Sequence, residues 1–84
     1  MKKIFIETEF IKLDQLLKFA EIVDSGGLAK IIIAEGCVKV NGSFCTQRGK
    51  KIVYDDMVEV TLPVENGEPE VHKLKILRGE NLDN

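Results

Sequence analysis

The chain has 84 residues, of which 44% are hydrophobic and 31% are charged, and its formal net charge is −2. This composition is typical of a folded domain and argues against a disordered tail. No apolar run reaches the roughly 18–20 residues that cross a bilayer. Acidic Glu7 follows only three apolar residues near the N-terminus, too early for a signal peptide. We therefore expect a single cytoplasmic domain over residues 1–84, with no membrane association.

The charge is unevenly distributed along the chain. Residues 1–54 hold nine Lys and Arg against six Asp and Glu, a net charge of +3. Residues 55–84 hold three against eight, a net charge of −5. A basic face can therefore exist on an acidic protein, and the acidic C-terminal extension is expected to face away from an anionic partner.

Two cysteines and one histidine supply few metal ligands. Cys37 and Cys45 form no CxxC pair, and His72 lies far along the chain. Because a structural zinc site needs about four such ligands, we expect free, partly buried thiols, no metal and no cofactor.

The first predicted elements are a short strand and a helix. Residues 3–8 are β-branched and aromatic, which predicts the strand. Apolar residues then recur at the spacing of a helix: Leu13, Leu16, Leu17 and Ala20. This stripe predicts a helix that ends near Asp24. Asp14 lies in its first turn, where a carboxylate suits the positive end of the helix dipole.

A second helix is predicted between Ser25, a good N-cap residue, and Gly36, which accepts the left-handed conformation of a C-terminal cap. Leu28 and Ile32 mark the centre of its predicted buried face. Lys30 lies opposite, on the outer face of the helix.

A hairpin is predicted after the second helix. Residues 38–40 alternate at period two, and Asn41-Gly42 is a strong turn signal because both residues tolerate positive φ. The return strand is predicted over residues 43–46.

The last third of the chain predicts two more strands. A turn at Asp55-Asp56 precedes a strand near residues 58–62, and a loop over residues 63–69 leads to a strand near residues 72–76. The polar tail after Arg78 is expected to fray. The predicted architecture is α+β, with two antiparallel helices followed by a β-hairpin on a small, mostly antiparallel sheet.

Basic residues cluster after the hairpin. Arg48-Gly49-Lys50-Lys51 places three cations within four residues, and the glycine lets the backbone approach a phosphate closely. If the two helices and the hairpin pack side by side, Lys12 at the start of the first helix and Lys30 on the second form one continuous basic face with these cations, suited to a polyanion. Alone, such a run is more often a solvated turn.

The ordered motifs resemble those of a known family. They are Lys12-Leu13-Asp14, Leu16-Leu17, Ser25-Gly26, Ala29-Lys30, Glu35-Gly36, Val38-Lys39-Val40-Asn41-Gly42 and Asp55-Asp56. Over about residues 11–60 the chain closely resembles the ribosomal protein S4 RNA-binding domain. Within that family it is most similar to short, stand-alone, ribosome-associated bacterial members of the YaaA and YbcJ type, whose basic run is matched by Thr46–Lys51.

The resemblance implies an alpha-L motif, in which two helices and the hairpin bind structured RNA, here ribosomal RNA. The positions carried over as RNA-binding residues are Lys12, Asp14, Ser25, Lys30, Asn41, Arg48, Lys50 and Lys51. Of these, Asp14 also suits orienting a neighbouring cation, Ser25 suits capping, and Asn41 suits the turn. Lys12 stands where the family usually has arginine, which keeps the charge but loses bidentate phosphate geometry. Gly26 also stands where the family usually has arginine, so one phosphate contact is absent, and Asp55 replaces the glycine of the closing turn.

Other classes of function stay open. Enzymes related to this family carry the domain as an appendage to a separate catalytic domain, so we expect no catalysis, and a Cys37–His72 nucleophile pair is the remaining enzymatic interpretation. The main alternative is a ribosome-associated adaptor that binds a basic protein through its acidic C-terminal half, at Glu65, Glu68 and Glu70. A DNA target is a weaker variant, and a monomer is expected.

Overall fold

The computed structural model describes residues 1–79. In chain order its elements are β1 (Lys2–Ile6), β2 (Ile11–Lys12), α1 (Leu13–Phe19), α2 (Gly26–Ala34), β3 (Val38–Val40), β4 (Ser43–Phe44), β5 (Lys51–Ile52), β6 (Met57–Leu62) and β7 (Glu70–Arg78). The predicted α+β class, with two helices and a mostly antiparallel sheet, is confirmed. Apart from Gly79, the tail predicted to fray after Arg78 lies outside the described residues.

The strands form two sheets. The larger sheet has the order β1-β7-β6-β3-β4, and the smaller one pairs β2 with β5. All neighbours are antiparallel except β1 and β7, which are parallel, so the larger sheet is mixed. Neither the parallel pair nor the separate small sheet was predicted.

One apolar core joins the helices to one face of the larger sheet. Buried side chains alternate with exposed or half-buried ones along β1, β3, β6 and β7, as expected for strands with one packed face. The core residues from these strands are Ile4, Ile6, Val38, Val40, Val58, Val60, Leu74 and Ile76. Those from the helices are Leu13, Leu16, Leu17, Ala29 and Ile33. The opposite face of the sheet carries the alternate side chains.

Helix α1 is shorter than predicted, because it ends at Phe19 and not near Asp24. Glu21 adopts a left-handed φ of 62°. Its N–H donates to the Lys18 carbonyl at 3.0 Å, and the Ile22 N–H donates to the Leu17 carbonyl at 2.9 Å. These two bonds form a Schellman motif, which closes a helix end with a residue in the left-handed region. The apolar residues that follow this motif still pack in the core, although they are not helical.

The predicted caps of α2 are confirmed. The Ser25 hydroxyl accepts a hydrogen bond from the Leu28 N–H at 3.1 Å. At the other end Gly36 has a φ of 83°, and the Cys37 N–H donates to the Ile32 carbonyl at 3.1 Å. An N-cap hydroxyl of this kind contributes about 1 kcal/mol to stability.

The buried face of α2 differs from the prediction by one residue. Ala29 and Ile33 are fully buried, whereas Leu28 is 44% exposed and Ile32 only partly buried. The predicted centre at Leu28 and Ile32 was therefore wrong. Three consecutive isoleucines make the phase of an apolar stripe ambiguous in sequence, and packing against α1 selects the Ala29 side.

The hairpin turn has the predicted geometry. Asn41 and Gly42 both have positive φ, at 51° and 88°, and the register pairs Val40 with Ser43. Strand β4 ends at Phe44, two residues before the predicted end at Thr46. Across residues 1–79, no helix has the length and apolar character that spanning a membrane requires.

Candidate nucleic-acid interface

The small β2–β5 sheet attaches the basic run to the start of α1. Its register pairs Ile11 with Ile52 and Lys12 with Lys51. Directly opposite residues of an antiparallel pair project from the same face, so Lys12 and Lys51 are neighbours. The Ile52 side chain is fully buried in the core, and this burial fixes β5 to the rest of the domain.

Backbone hydrogen bonds add to this attachment. The Leu13 N–H donates to the Lys50 carbonyl at 2.9 Å, and the Asp14 N–H donates to the Arg48 carbonyl at 3.0 Å. They satisfy two of the N–H groups that the first turn of a helix leaves without partners. The basic run is therefore held against α1 by its backbone, and its position does not depend on its side chains.

Lys12, Asp14 and Arg48 line one open concavity of about 500 Å³. The Asp14 carboxylate lies 3.8 Å from the Arg48 guanidinium, and its other oxygen accepts the Gln15 N–H at 2.7 Å. Because the Arg48 side chain is 59% exposed and the contact is longer than a hydrogen bond, the ion pair contributes about 0–1 kcal/mol, and a phosphate can compete for Arg48.

Phe10 is a feature of this surface that was not predicted. The Lys51 ammonium lies 4.8 Å from the centre of the Phe10 ring. A cation–π contact at an exposed site contributes about 0.5–1 kcal/mol, which restricts the orientation of Lys51. The available sequence signal was an aromatic residue two positions before Lys12.

The structure places Ser25 and Lys30 apart from this concavity. The Ser25 hydroxyl caps α2, as predicted from its sequence position. Lys30 is exposed on α2, beside buried Ala29. The lining of the concavity comes from α1, the preceding residue and the basic run, and Lys30 is not part of it.

Asn41 joins the hairpin turn to the turn before β6. Its carboxamide N–H donates to the Asp56 carboxylate at 2.9 Å, and its carbonyl accepts the Met57 N–H at 2.9 Å. The second Asp56 oxygen accepts the Val53 N–H at 2.9 Å. The motif residues Asn41 and Asp56 are therefore partners, which the sequence interpretation did not recognise. One N–H of the Asn41 amide is left for another acceptor.

Metal-binding chemistry finds no support in the described part of the chain. Within residues 1–79, no group of three or more His, Cys, Asp or Glu side chains is placed so that it can hold a metal ion. Cys37 and Cys45 are half-buried free thiols.

Comparison with known protein families gives the class of the protein. A model of the S4 domain family matches residues 4–65, and the chain belongs to this family. The match extends beyond the predicted segment 11–60 at both ends and includes most of β1 and all of β6. Among curated proteins, the chain is similar to the "Probable ribosome maturation protein RlbA" of Bacillus subtilis (strain 168). The two are 44% identical over 57 residues, which cover 68% of this chain and 80% of the relative.

Proposed function

We propose that this protein is a non-catalytic module that binds structured RNA, with ribosomal RNA as its target. Its basic surface consists of Lys12, Lys30, Arg48, Lys50 and Lys51. Membership of the S4 domain family supports RNA binding, and the similarity to the Bacillus ribosome maturation protein supports a role at the ribosome. The cytoplasmic location and the monomeric state are part of the same proposal.

The observation that carries this proposal is the way the basic run is held. The β2–β5 pair and the two backbone bonds to α1 keep Arg48 and Lys51 beside Lys12. Exposed cations on a fixed backbone bind phosphates with a smaller loss of entropy than cations on a free turn. This arrangement favours a binding surface over the solvated turn that the run alone suggests.

In the proposed complex, α1, α2 and the β3–β4 hairpin act together as an alpha-L motif, with residues 11–60 as the RNA-binding core of a single domain over residues 1–84. Asp14 orients Arg48, Ser25 fixes the start of α2, and Asn41 fixes the hairpin. These three contribute to RNA binding mainly by positioning other groups.

The test is a fluorescence-anisotropy titration of the protein with a labelled fragment of bacterial ribosomal RNA, at several salt concentrations. The variant Arg48→Gln/Lys50→Gln/Lys51→Gln removes three cations without introducing a repulsion next to Asp14. If three phosphate contacts are lost, the slope of log affinity against log salt decreases by about 2–3. The affinity falls at least tenfold, while circular dichroism shows an unchanged fold.

A matched control is the variant Glu65→Gln/Glu68→Gln/Glu70→Gln, at exposed positions of the loop before β7 and of its first residue. It retains RNA affinity if the proposal is correct. If it loses co-sedimentation with ribosomes while the basic-run variant keeps it, the adaptor function replaces RNA binding. Equal affinity for a length-matched DNA duplex indicates nonspecific electrostatic binding, because recognition of folded RNA involves the 2′-hydroxyl surface.

A further inference from the structure

The larger sheet has a second face, opposite the core, that carries a different set of side chains. The strand registers bring six of them together: Phe44, Lys39, Glu59 and Lys73 in one row, and Lys75 and Lys3, beside the half-buried Met57, in the next. All six are exposed or half-buried. We call these six residues the open face.

The open face is strongly basic. It holds four lysines against Glu59, the one carboxylate that the registers of residues 1–79 place on it. Lys3 of β1 is the register partner of Lys75, so two like charges lie side by side on neighbouring strands. Lys75 is partly compensated, since its ammonium donates to the Asp55 carbonyl at 3.0 Å and lies 4.0 Å from that residue's carboxylate.

Acidic and basic residues of the C-terminal extension lie at different places in the fold. The acidic residues at 65, 68 and 70 lie in the loop before β7 and at its first position. Further along β7, Lys73 and Lys75 are on the open face, next to Lys3 of β1. A net charge summed along the chain conceals this separation.

Phe44 adds an exposed aromatic ring to the lysines of the open face. Its ring is 70% exposed, and the Lys39 ammonium lies 4.8 Å from the ring centre. An exposed aromatic ring beside a cation is the arrangement on which the bases of single-stranded nucleic acids stack. A single-stranded RNA segment has partners for both features, because its phosphates match the lysines and its bases match the ring.

The open face is also continuous with the basic surface. A concavity of about 300 Å³ is lined by Phe44, Thr46, Gln47 and Lys50, among other residues. Lys50 belongs to the basic surface and Phe44 to the open face, so one RNA chain can pass from one to the other along the hairpin.

We propose that the open face is a second RNA-binding surface that takes a single-stranded segment next to the structured RNA. Phe44 stacks on a base, Lys39 and Lys73 contact phosphates, and Lys3 and Lys75 extend the path. This inference rests on the proposed function, because the same RNA occupies both surfaces.

The experiment compares two RNA probes: a short RNA hairpin, and the same hairpin with an eight-nucleotide oligouridylate extension. Phe44→Leu weakens binding of the extended probe by about tenfold, equivalent to about 1.4 kcal/mol, and leaves the blunt probe unaffected. Phe44→Tyr keeps the stacking ring and retains affinity. The matched control is Phe19→Leu, because Phe19 is 59% exposed but lies at the end of α1.

Charge variants test the phosphate path independently. Lys39→Gln/Lys73→Gln lowers the salt slope for the extended probe by about 1.4, the value for two single-strand phosphate contacts. Glu59→Gln removes the carboxylate between these two lysines and strengthens binding of the extended probe. A purely structural role of the open face does not produce this gain.

The outcomes separate this inference from the proposed function. If the open-face variants bind both probes like the wild type while the Arg48/Lys50/Lys51 variant loses both, the inference is wrong and the proposed function stands. Equal losses for both probes also overturn it. If the open-face variants keep RNA affinity but no longer co-sediment with ribosomes, the face binds a protein instead. Retention of both probes by the basic-run variant contradicts the proposed function itself.

Discussion

Replacing Asn41 tests whether the hydrogen bonds between the two turns stabilise the fold. The Asn41 carboxamide contacts Asp56 and the Met57 N–H, and its backbone has a φ of 51°. Asn41→Gly removes both side-chain bonds but tolerates this φ. Asn41→Ala removes the same bonds but keeps a Cβ in the left-handed region, without the polar side chain that helps asparagine to adopt it, so the two variants separate hydrogen bonding from backbone strain.

The expected magnitudes follow from these contacts. Hydrogen bonds contribute about 0.5–1.5 kcal/mol each. Relief of the positive φ in Asn41→Gly is roughly cancelled by the additional freedom of glycine in the unfolded state. Asn41→Gly therefore lowers the free energy of unfolding by about 1–2 kcal/mol, and Asn41→Ala lowers it by about 1 kcal/mol more. In a domain of this size each kcal/mol corresponds to about 4–8 °C in Tm.

The assay is urea denaturation followed by far-ultraviolet circular dichroism, analysed by linear extrapolation. Asp56→Ala and the double variant complete a cycle, with an expected coupling of about 0.5–1.5 kcal/mol between Asn41 and Asp56. Zero coupling, or an Asn41→Gly variant as stable as the wild type, refutes the reasoning. RNA affinity of Asn41→Gly, measured where it is fully folded, then reports any direct contact of Asn41 with RNA.

Two further predictions concern the backbone and the core. Gly36→Ala destabilises the protein by about 1–2 kcal/mol because φ is 83° there, although an added Cβ meets no atom within 4 Å. Gly49→Ala also meets no atom within 4 Å and has no positive φ, so it is neutral or stabilising by up to about 1 kcal/mol; equal thermal shifts for both glycine variants contradict this assignment. Ile33→Ala costs about 2–5 kcal/mol since Ile33 is fully buried, whereas Ile31→Ala, at a 57% exposed position, costs less than about 1 kcal/mol in urea denaturation. The reverse order means that α2 buries a different face.

Local signals in the sequence were reliable where one or two residues determine the geometry. The Ser25 cap and the Gly36 cap each depend on one residue and the Asn41-Gly42 turn depends on two, and all three are as predicted. The end of α1 was mispredicted because no such signal is present there. The residue in the left-handed conformation is Glu21, a residue type that does not indicate this conformation, and the apolar residues after it fit the spacing of a longer helix.

Long-range pairing could not be predicted from the sequence. Strands β2 and β5 have two residues each, too short for a period, yet their pairing brings Lys12 beside Lys51. The alternation of β7 was recognised, but its parallel pairing with β1 depends on the whole topology. The sequence therefore predicted which residues belong to the candidate site, whereas the hydrogen bonds that hold Arg48 against α1 became known only from the structure.

The parallel pairing of β1 with β7 has a consequence for how the chain folds during synthesis. Ile4 and Ile6 are buried core residues, and within residues 1–79 their strand pairs only with residues 74–78. Because β1 is synthesised before β7, it has no strand partner until residues 74–78 have emerged from the ribosome. Contacts so distant in sequence slow folding and leave a nascent chain open to aggregation until they form. The sheet is completed late, and a chain cut before residue 74 leaves β1 without the residues with which it pairs.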